Sequence, residues 1–291
     1  MLRTLIGWSM WLYRASPFCP SCGPLLARAL SRFTRPRTSV LATIKGVHFD
    51  LDLREVIDSS LFYMGSFAPE AEKHFPPHIP PGSVVLDVGA NIGCYTFTFA
   101  KLVGPTGLVV AVEPTDRAFA KLRNNVALNS FANIRCLQVG LSDRDVGDVD
   151  VSFQSSFPLN GRPPSSTQSV RLVTLDTLVS ELRLDRVDFI KVDVDGYEAK
   201  VFAGARLVLE RFRPSLFFEL TPSWVCKNGD DPASLIDLLF SHGYSLRDQQ
   251  GQSLPDTRSV LRRAERAENK WRTGINLLAL PPTRIPAIMS L

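Results

Sequence analysis

No acidic residue occurs before Asp50, although 29 acids are spread over the rest of this 291-residue chain. In the same stretch Arg3, Arg14, Arg28, Arg32, Arg35, Arg37 and Lys45 give a charge of +7, so with +4 overall the remainder carries −3. A body of that sign argues against a broad nucleic-acid-binding face, which needs clustered basic side chains. A long apolar run is also missing. Leu2, Leu5, Ile6, Trp8, Trp11 and Leu12 are interrupted by Gly7, Ser9 and Arg14, well short of the ~18 consecutive apolar residues of a spanning helix. No small-residue cleavage pattern follows. The segment suits an interfacial helix on anionic lipid, a mitochondrial transit segment if the source is eukaryotic, or a helical extension packed on the domain. The expected location is cytoplasmic, with any membrane contact peripheral and made through the basic N-terminus.

Cysteine is scarce and odd in number. Cys19, Cys22, Cys94, Cys136 and Cys226 are scattered, which excludes a disulfide framework and suits a reducing compartment. The pair Cys19 and Cys22 has no second pair at zinc-ligand spacing. Also absent is the G-x-G-x-x-G run that seats a diphosphate on a helix N-terminus.

In its place stands Val84-Val85-Leu86-Asp87-Val88-Gly89-Ala90-Asn91-Ile92-Gly93. A buried strand ends in an acid, and a bend with two glycines leads into a helix at Tyr95 to Leu102. Gly89 and Gly93 let backbone approach a ligand closely. An acid two residues before the first glycine would repel a diphosphate, so the pattern fits a cofactor without phosphate and with a positive centre. S-adenosylmethionine has an ammonium, a sulfonium and a ribose diol. Glu113, which ends the apolar run Leu108 to Val112, is placed to accept both ribose hydroxyls.

From Val84 onward strands and helices alternate: 84–88, 95–102, 108–113, 116–129 and 134–139. This predicts an α/β fold with a doubly wound, mostly parallel sheet. Helix 116–129 starts after the cap Pro114-Thr115, and residues 152–170 read as a loop or irregular hairpin. A helix over 176–183, capped by Asp176 or Thr177, leads to the strand 187–192. A single helix over 198–210, a strand over 215–220, a helix over 235–241 and a final strand over 275–280 follow. Arg258 to Trp271, basic with Glu265 and Glu268 interspersed, reads as a solvated helix face. The expected organisation is a basic extension (1–45), a cap (46–81), a methyltransferase-sized domain (82–280) bounded by Pro76, Pro77, Pro80 and Pro81, and a tail (281–291), with a short antiparallel unit over Ser39 to Leu53 and helices over 57–63 and 69–74.

The acids Asp87, Glu113, Asp193, Asp195 and Glu219 all fall at strand ends, where open α/β sheets bind ligands. Lys191 lies within an apolar strand, and burying an unpaired ammonium is costly, which predicts a carboxylate partner such as Asp193. Read as a calcium loop, Asp193-Val194-Asp195-Gly196 would put Lys191 and Phe202 at ligand positions, which excludes it. A metal on Asp193, Asp195 and Glu219 remains an alternative to the metal-free reading.

These blocks, together with Glu113-Pro114, Thr174-Leu175-Asp176, Phe189 to Gly196, Glu198, Gly204-Ala205, Pro214 and Phe218-Glu219, resemble the FkbM-type S-adenosylmethionine-dependent methyltransferases over roughly 84–220. The resemblance implies a class I, Rossmann-like methyltransferase domain behind an N-terminal cap. It also implies methyl transfer to a hydroxyl of a small molecule or glycan, with nucleic acid not expected as substrate. The cofactor residues expected are Asp87, Gly89, Asn91, Gly93, Glu113, Ser142 and Asp143. Asp193 is the first candidate for orienting or deprotonating the acceptor, supported by Asp195, Glu198 and Glu219. In Asp195-Gly196-Tyr197-Glu198 the family more often has a glutamate before the glycine and a small residue after it, and the shorter acid and bulkier Tyr197 leave substrate choice open. A nucleic-acid methyltransferase and a non-catalytic cofactor-binding or membrane-associated module are the alternatives.

Overall fold

Alternating apolar residues and a Lys45-Gly46 turn, both with positive φ, close the hairpin of β1 (Val40–Ile44) and β2 (Val47–Leu51). In this computed structural model the described residues are 39–66, 69–154, 158, 165–271 and 274–282. The hairpin is the short antiparallel unit expected over Ser39 to Leu53. Cys19, Cys22 and the rest of the basic extension up to residue 38 lie outside the described residues, as does the tail from 283.

Helices α1 (Val56–Met64) and α2 (Pro69–Glu72) follow the hairpin. The predicted alternation then appears: β3 (Val84–Val88), α3 (Cys94–Val103), β4 (Leu108–Val112), α4 (Asp116–Ala127) and β5 (Ile134–Leu137). Strands β6 (Gly140–Leu141), β7 (Gly147–Gln154) and β8 (Ser165–Val173) make a small sheet in the order β6-β8-β7. Helix α5 (Leu175–Glu181) precedes β9 (Phe189–Val192). The single helix expected over 198–210 is two, α6 (Glu198–Ala203) and α7 (Arg206–Phe212). After β10 (Ser215–Leu220) come α8 (Pro222–Lys227), α9 (Pro232–Ser241), β11 (Ser245–Asp248), β12 (Ser253–Leu254), α10 (Thr257–Trp271) and β13 (Ile275–Leu280).

The principal sheet has the order β12-β11-β13-β10-β9-β3-β4-β5. β3, β9 and β10 run parallel, as do β4 and β5, while β13 is antiparallel to β10. Strand order reverses at β3, which makes the sheet doubly wound, with its switch point between β3 and β9. By packing, the chain divides into two compact units. One runs to Gly82 and includes Gly89–Gly140 and Asp148–Arg171; the other comprises Ser83–Val88, Leu141–Gly147 and the chain from Leu172.

In the first unit, Val47, Phe49, Leu51, Leu53 and Leu61 of the cap bury with Ile92 and Phe97. Phe49 and Phe97 meet edge to face at 5.2 Å, the arrangement that ring quadrupoles favour. Fully buried Asn125 ties the two parts: its Oδ1 accepts from the Asp50 amide at 2.9 Å and its Nδ2 donates to the Ile92 carbonyl at 3.0 Å. The second unit is built on continuous apolar strands, with Phe202 against Phe218 at 5.2 Å. Helix α10 is not solvated all round. Val260 and Ala264 are buried, and Arg263 pairs with the buried Asp248 at 2.8 Å.

The cap expected for α5 is rearranged. Thr174, not Asp176 or Thr177, caps α5 by accepting from the Thr177 amide at 3.0 Å. Asp176 instead accepts from the amides of Leu207 and Val208 at 3.1 and 2.9 Å, satisfying the open N-terminus of α7.

Candidate active site

The glycine bend is folded onto the end of β4. Gly89 and Ala90 donate to the Val112 carbonyl at 2.9 and 3.0 Å. Gly89, Asn91 and Gly93 have φ of 76, 50 and 98°, the left-handed region in which a side chain costs most. Glu113 organises the turn: its Oε2 accepts from the Asn91 amide at 3.0 Å, and its Oε1 accepts from the Thr115 amide at 3.0 Å and hydroxyl at 2.6 Å. The Thr115 hydroxyl thus serves Glu113 rather than capping α4. Both oxygens of the expected ribose ligand are already engaged, so a ribose hydroxyl adds to these contacts or displaces one.

At the switch point the register sets Asp87 beside Lys191 and Val88 beside Val192. Lys191 is 2% exposed, and its Nζ lies 3.5 Å from Asp87 Oδ1 and 3.5 Å from Asp193 Oδ2. It also donates to the Val88 carbonyl at 3.3 Å. The predicted carboxylate partner is therefore two partners. Asp87, expected from the sequence to bind the cofactor, has no exposed surface and pairs with Lys191. Asp193 is a third exposed and open to a ligand.

The next residues form a tight loop. Asp195 has φ of 53° and Gly196 of 92°. A Cβ on Gly196 would sit 2.7 Å from the backbone carbon of Trp224, so the loop rests directly on α8. Glu198 fastens it from below, its Oε1 accepting from the Val194 and Gly196 amides at 3.0 and 3.3 Å. Its Oε2 is buried without a hydrogen-bond partner. Asn228, which no sequence motif marked, donates from Nδ2 to the Asp195 carbonyl at 3.2 Å, and Lys200 donates to the Asn228 carbonyl at 2.9 Å. Glu198 thus ties Val194 and Gly196 of the loop to the first turn of α6.

These acids sense one another. Burial pushes Glu219, near the end of β10, up to about 8, helped by the negative charges of Asp193, Glu198 and Asp195 and opposed by Lys191. Burial likewise pushes Glu198 up to about 7, against its amide donors and with help from Asp193. Both bind protons in the range where proton transfer at neutral pH is effective. Among the described residues no group of three or more His, Cys, Asp or Glu side chains has a metal-holding arrangement, including Asp193, Asp195 and Glu219. Of the remaining candidates, Ser142 is buried and donates to the exposed Asp143 at 3.0 Å. Gly204 abuts the Ser142 carbonyl.

The model of the methyltransferase FkbM domain matches residues 87–246, more than half of the chain. The chain belongs to the FkbM methyltransferase family. The family's matched segment contains the bend, Glu113, Lys191 and the acids of β9 and β10. Among curated relatives, the 2-O-methyltransferase NoeI of Sinorhizobium fredii is 30% identical over 152 residues, covering 46% of this chain and 61% of NoeI. The 31-O-demethyl-FK506 methyltransferase FkbM of Streptomyces tacrolimicus is 27% identical over 180 residues, 50% of this chain and 68% of the relative. The chain therefore spans less than two thirds of NoeI. A solved FkbM methyltransferase from Methylobacillus flagellatus aligns at 14% identity and a TM-score of 0.42 over 76% of this chain and 54% of its own. No helix among the described residues is long and apolar enough to cross a membrane.

Proposed function

We propose that the protein is an S-adenosylmethionine-dependent O-methyltransferase acting on a hydroxyl of a small molecule or glycan. The observation that carries this reading is the switch-point arrangement Asp87–Lys191–Asp193, with one acid sealed and the other open. The residues fit the cofactor's chemistry. Carboxylates that raise one another's proton affinity suit a cationic group, and the bend with Glu113 is cradled by backbone rather than built for diphosphate. Bound S-adenosylmethionine supplies a methyl carbon already activated by its sulfonium. Asp87, Gly89, Asn91, Gly93, Ser142 and Asp143 would hold it, and Glu113 would accept from its ribose hydroxyls.

The chain's own work is to align an oxygen and manage its proton. Lys191 holds Asp193 in place, and Asp193 accepts a hydrogen bond from the acceptor hydroxyl. Asp195 supports it at the rim, while Glu198 fixes the loop. Asp193 takes up the proton that the hydroxyl loses as its oxygen bonds to carbon, and Glu219, its proton affinity raised by burial and by Asp193, supports it from β10. The net charge of −3 on the chain from Asp50 onward supports a small-molecule or glycan acceptor.

The test is transfer of labelled methyl groups. Asp193→Asn is expected to keep cofactor binding and lose turnover by at least roughly a hundredfold, the range of general-base loss. Near-normal turnover would reassign Asp193 to structure, and label appearing in RNA would overturn the acceptor class.

A further inference from the structure

Six large apolar side chains are exposed among the described residues, and of these only Tyr197 and Trp224, 37% and 42% exposed, are aromatic. They are not scattered. Tyr197 follows Gly196, and a Cβ on Gly196 would meet the backbone carbon of Trp224 at 2.7 Å and its Cβ at 2.8 Å. Both therefore border the loop that presents Asp193 and Asp195.

We infer that Tyr197 and Trp224 are the specificity-determining residues that hold the acceptor, and that the acceptor they select is an uncharged sugar ring. This rests on the reading of the chain as an O-methyltransferase. A pyranose has apolar C–H faces and a rim of hydroxyls, so a face lies on an aromatic surface while a rim hydroxyl reaches a carboxylate. The loop is rigid enough to serve. Glu198 binds two of its amides, Asn228 binds the Asp195 carbonyl, and the Lys200 ammonium stands 5.6 Å from the centre of the Tyr197 ring. Charge sets the second half of the selection. Asp195 is exposed and Asp193 a third exposed, while the Lys191 ammonium is buried beneath them, so a ring carrying its own carboxylate meets like charge.

The full chain, loaded with S-adenosylhomocysteine, is tested by saturation-transfer NMR. The probes are the methyl glycosides of glucose, fucose and N-acetylglucosamine, with the methyl glycoside of glucuronic acid as the anionic comparison. At least one neutral glycoside is expected to take up saturation through its ring protons. Trp224→Ala and Tyr197→Ala should each weaken that binding roughly fivefold, the worth of an aromatic contact, while Trp224→Phe retains it. Trp224→Ala keeps the Cβ that packs on Gly196, so the loop contact survives. The glucuronide should bind at least about tenfold more weakly, as like-charge juxtaposition demands. Binding that ignores both aromatic substitutions, glucuronide binding equal to that of the neutral glycosides, or no neutral glycoside binding would overturn the inference. S-adenosylmethionine is titrated into the same proteins: if it binds wild type and variants alike, such a result falls on the inference alone, whereas failure to bind wild type removes the underlying reading.

Discussion

Lys191 Nζ stands 3.5 Å from Asp193 Oδ2, with the lysine 2% and the aspartate 33% exposed. One ammonium thus joins the sealed carboxylate of β3 to the open one after β9. Removing one member of a buried ion pair leaves an uncompensated charge, at a cost of about 3–5 kcal/mol. Lys191→Met is expected to lower the unfolding free energy by that amount in urea denaturation. A loss below about 1 kcal/mol, the scale of a surface pair, would show that Lys191 is not the counter-charge of Asp87.

Stability should fall as pH rises, the reverse of the usual carboxylate behaviour. Glu198 and Glu219 are raised from 4.5 to about 7 and about 8, so the folded chain holds more protons than the unfolded one across that window. Unfolding free energy therefore declines from about pH 4.5 to about pH 8 and levels off above it. Asp58, raised to about 6 by burial against the pull of Lys121, adds to the slope at its lower end. Glu219→Gln should flatten the decline between pH 6 and 8 in chemical denaturation. An unchanged slope would mean that Glu219 titrates as an ordinary exposed acid.

Gly204 is required by proximity and not by its φ of −88°. A Cβ there would lie 2.2 Å from the Ser142 carbonyl oxygen, a backbone atom that cannot step aside alone. Gly204→Ala should destabilise the chain by about 1–3 kcal/mol or more, as overpacking does, measured as a drop in thermal midpoint. A neutral substitution would show that the Ser142 segment is free to move.

Reading these residues in sequence worked where the signal is local. The continuous apolar strands β3, β4, β9, β10 and β13 and the helices between them were legible, as were the acids that end the strands. The break between α6 and α7 was not read, although it falls at Gly204, a poor helix former, which in the fold abuts the Ser142 carbonyl. Helix α8 is six residues long and β12 two, too short for periodicity to register. At the site, Lys191 predicted a partner by its cost of burial, yet the second partner, Asp87, required the β3–β9 register. Asn125, Asn228 and Trp224 belong to no motif. Their roles depend on contacts with distant segments.

The account rests first on the cofactor, and calorimetric titration of S-adenosylmethionine into the full chain tests it most directly. Saturable one-to-one binding is predicted, weakened more than about tenfold in Glu113→Ala, the equivalent of losing a charge-assisted hydrogen bond of about 1.5–3 kcal/mol. The absence of binding to the wild-type chain, or an affinity indifferent to Glu113, would contradict it.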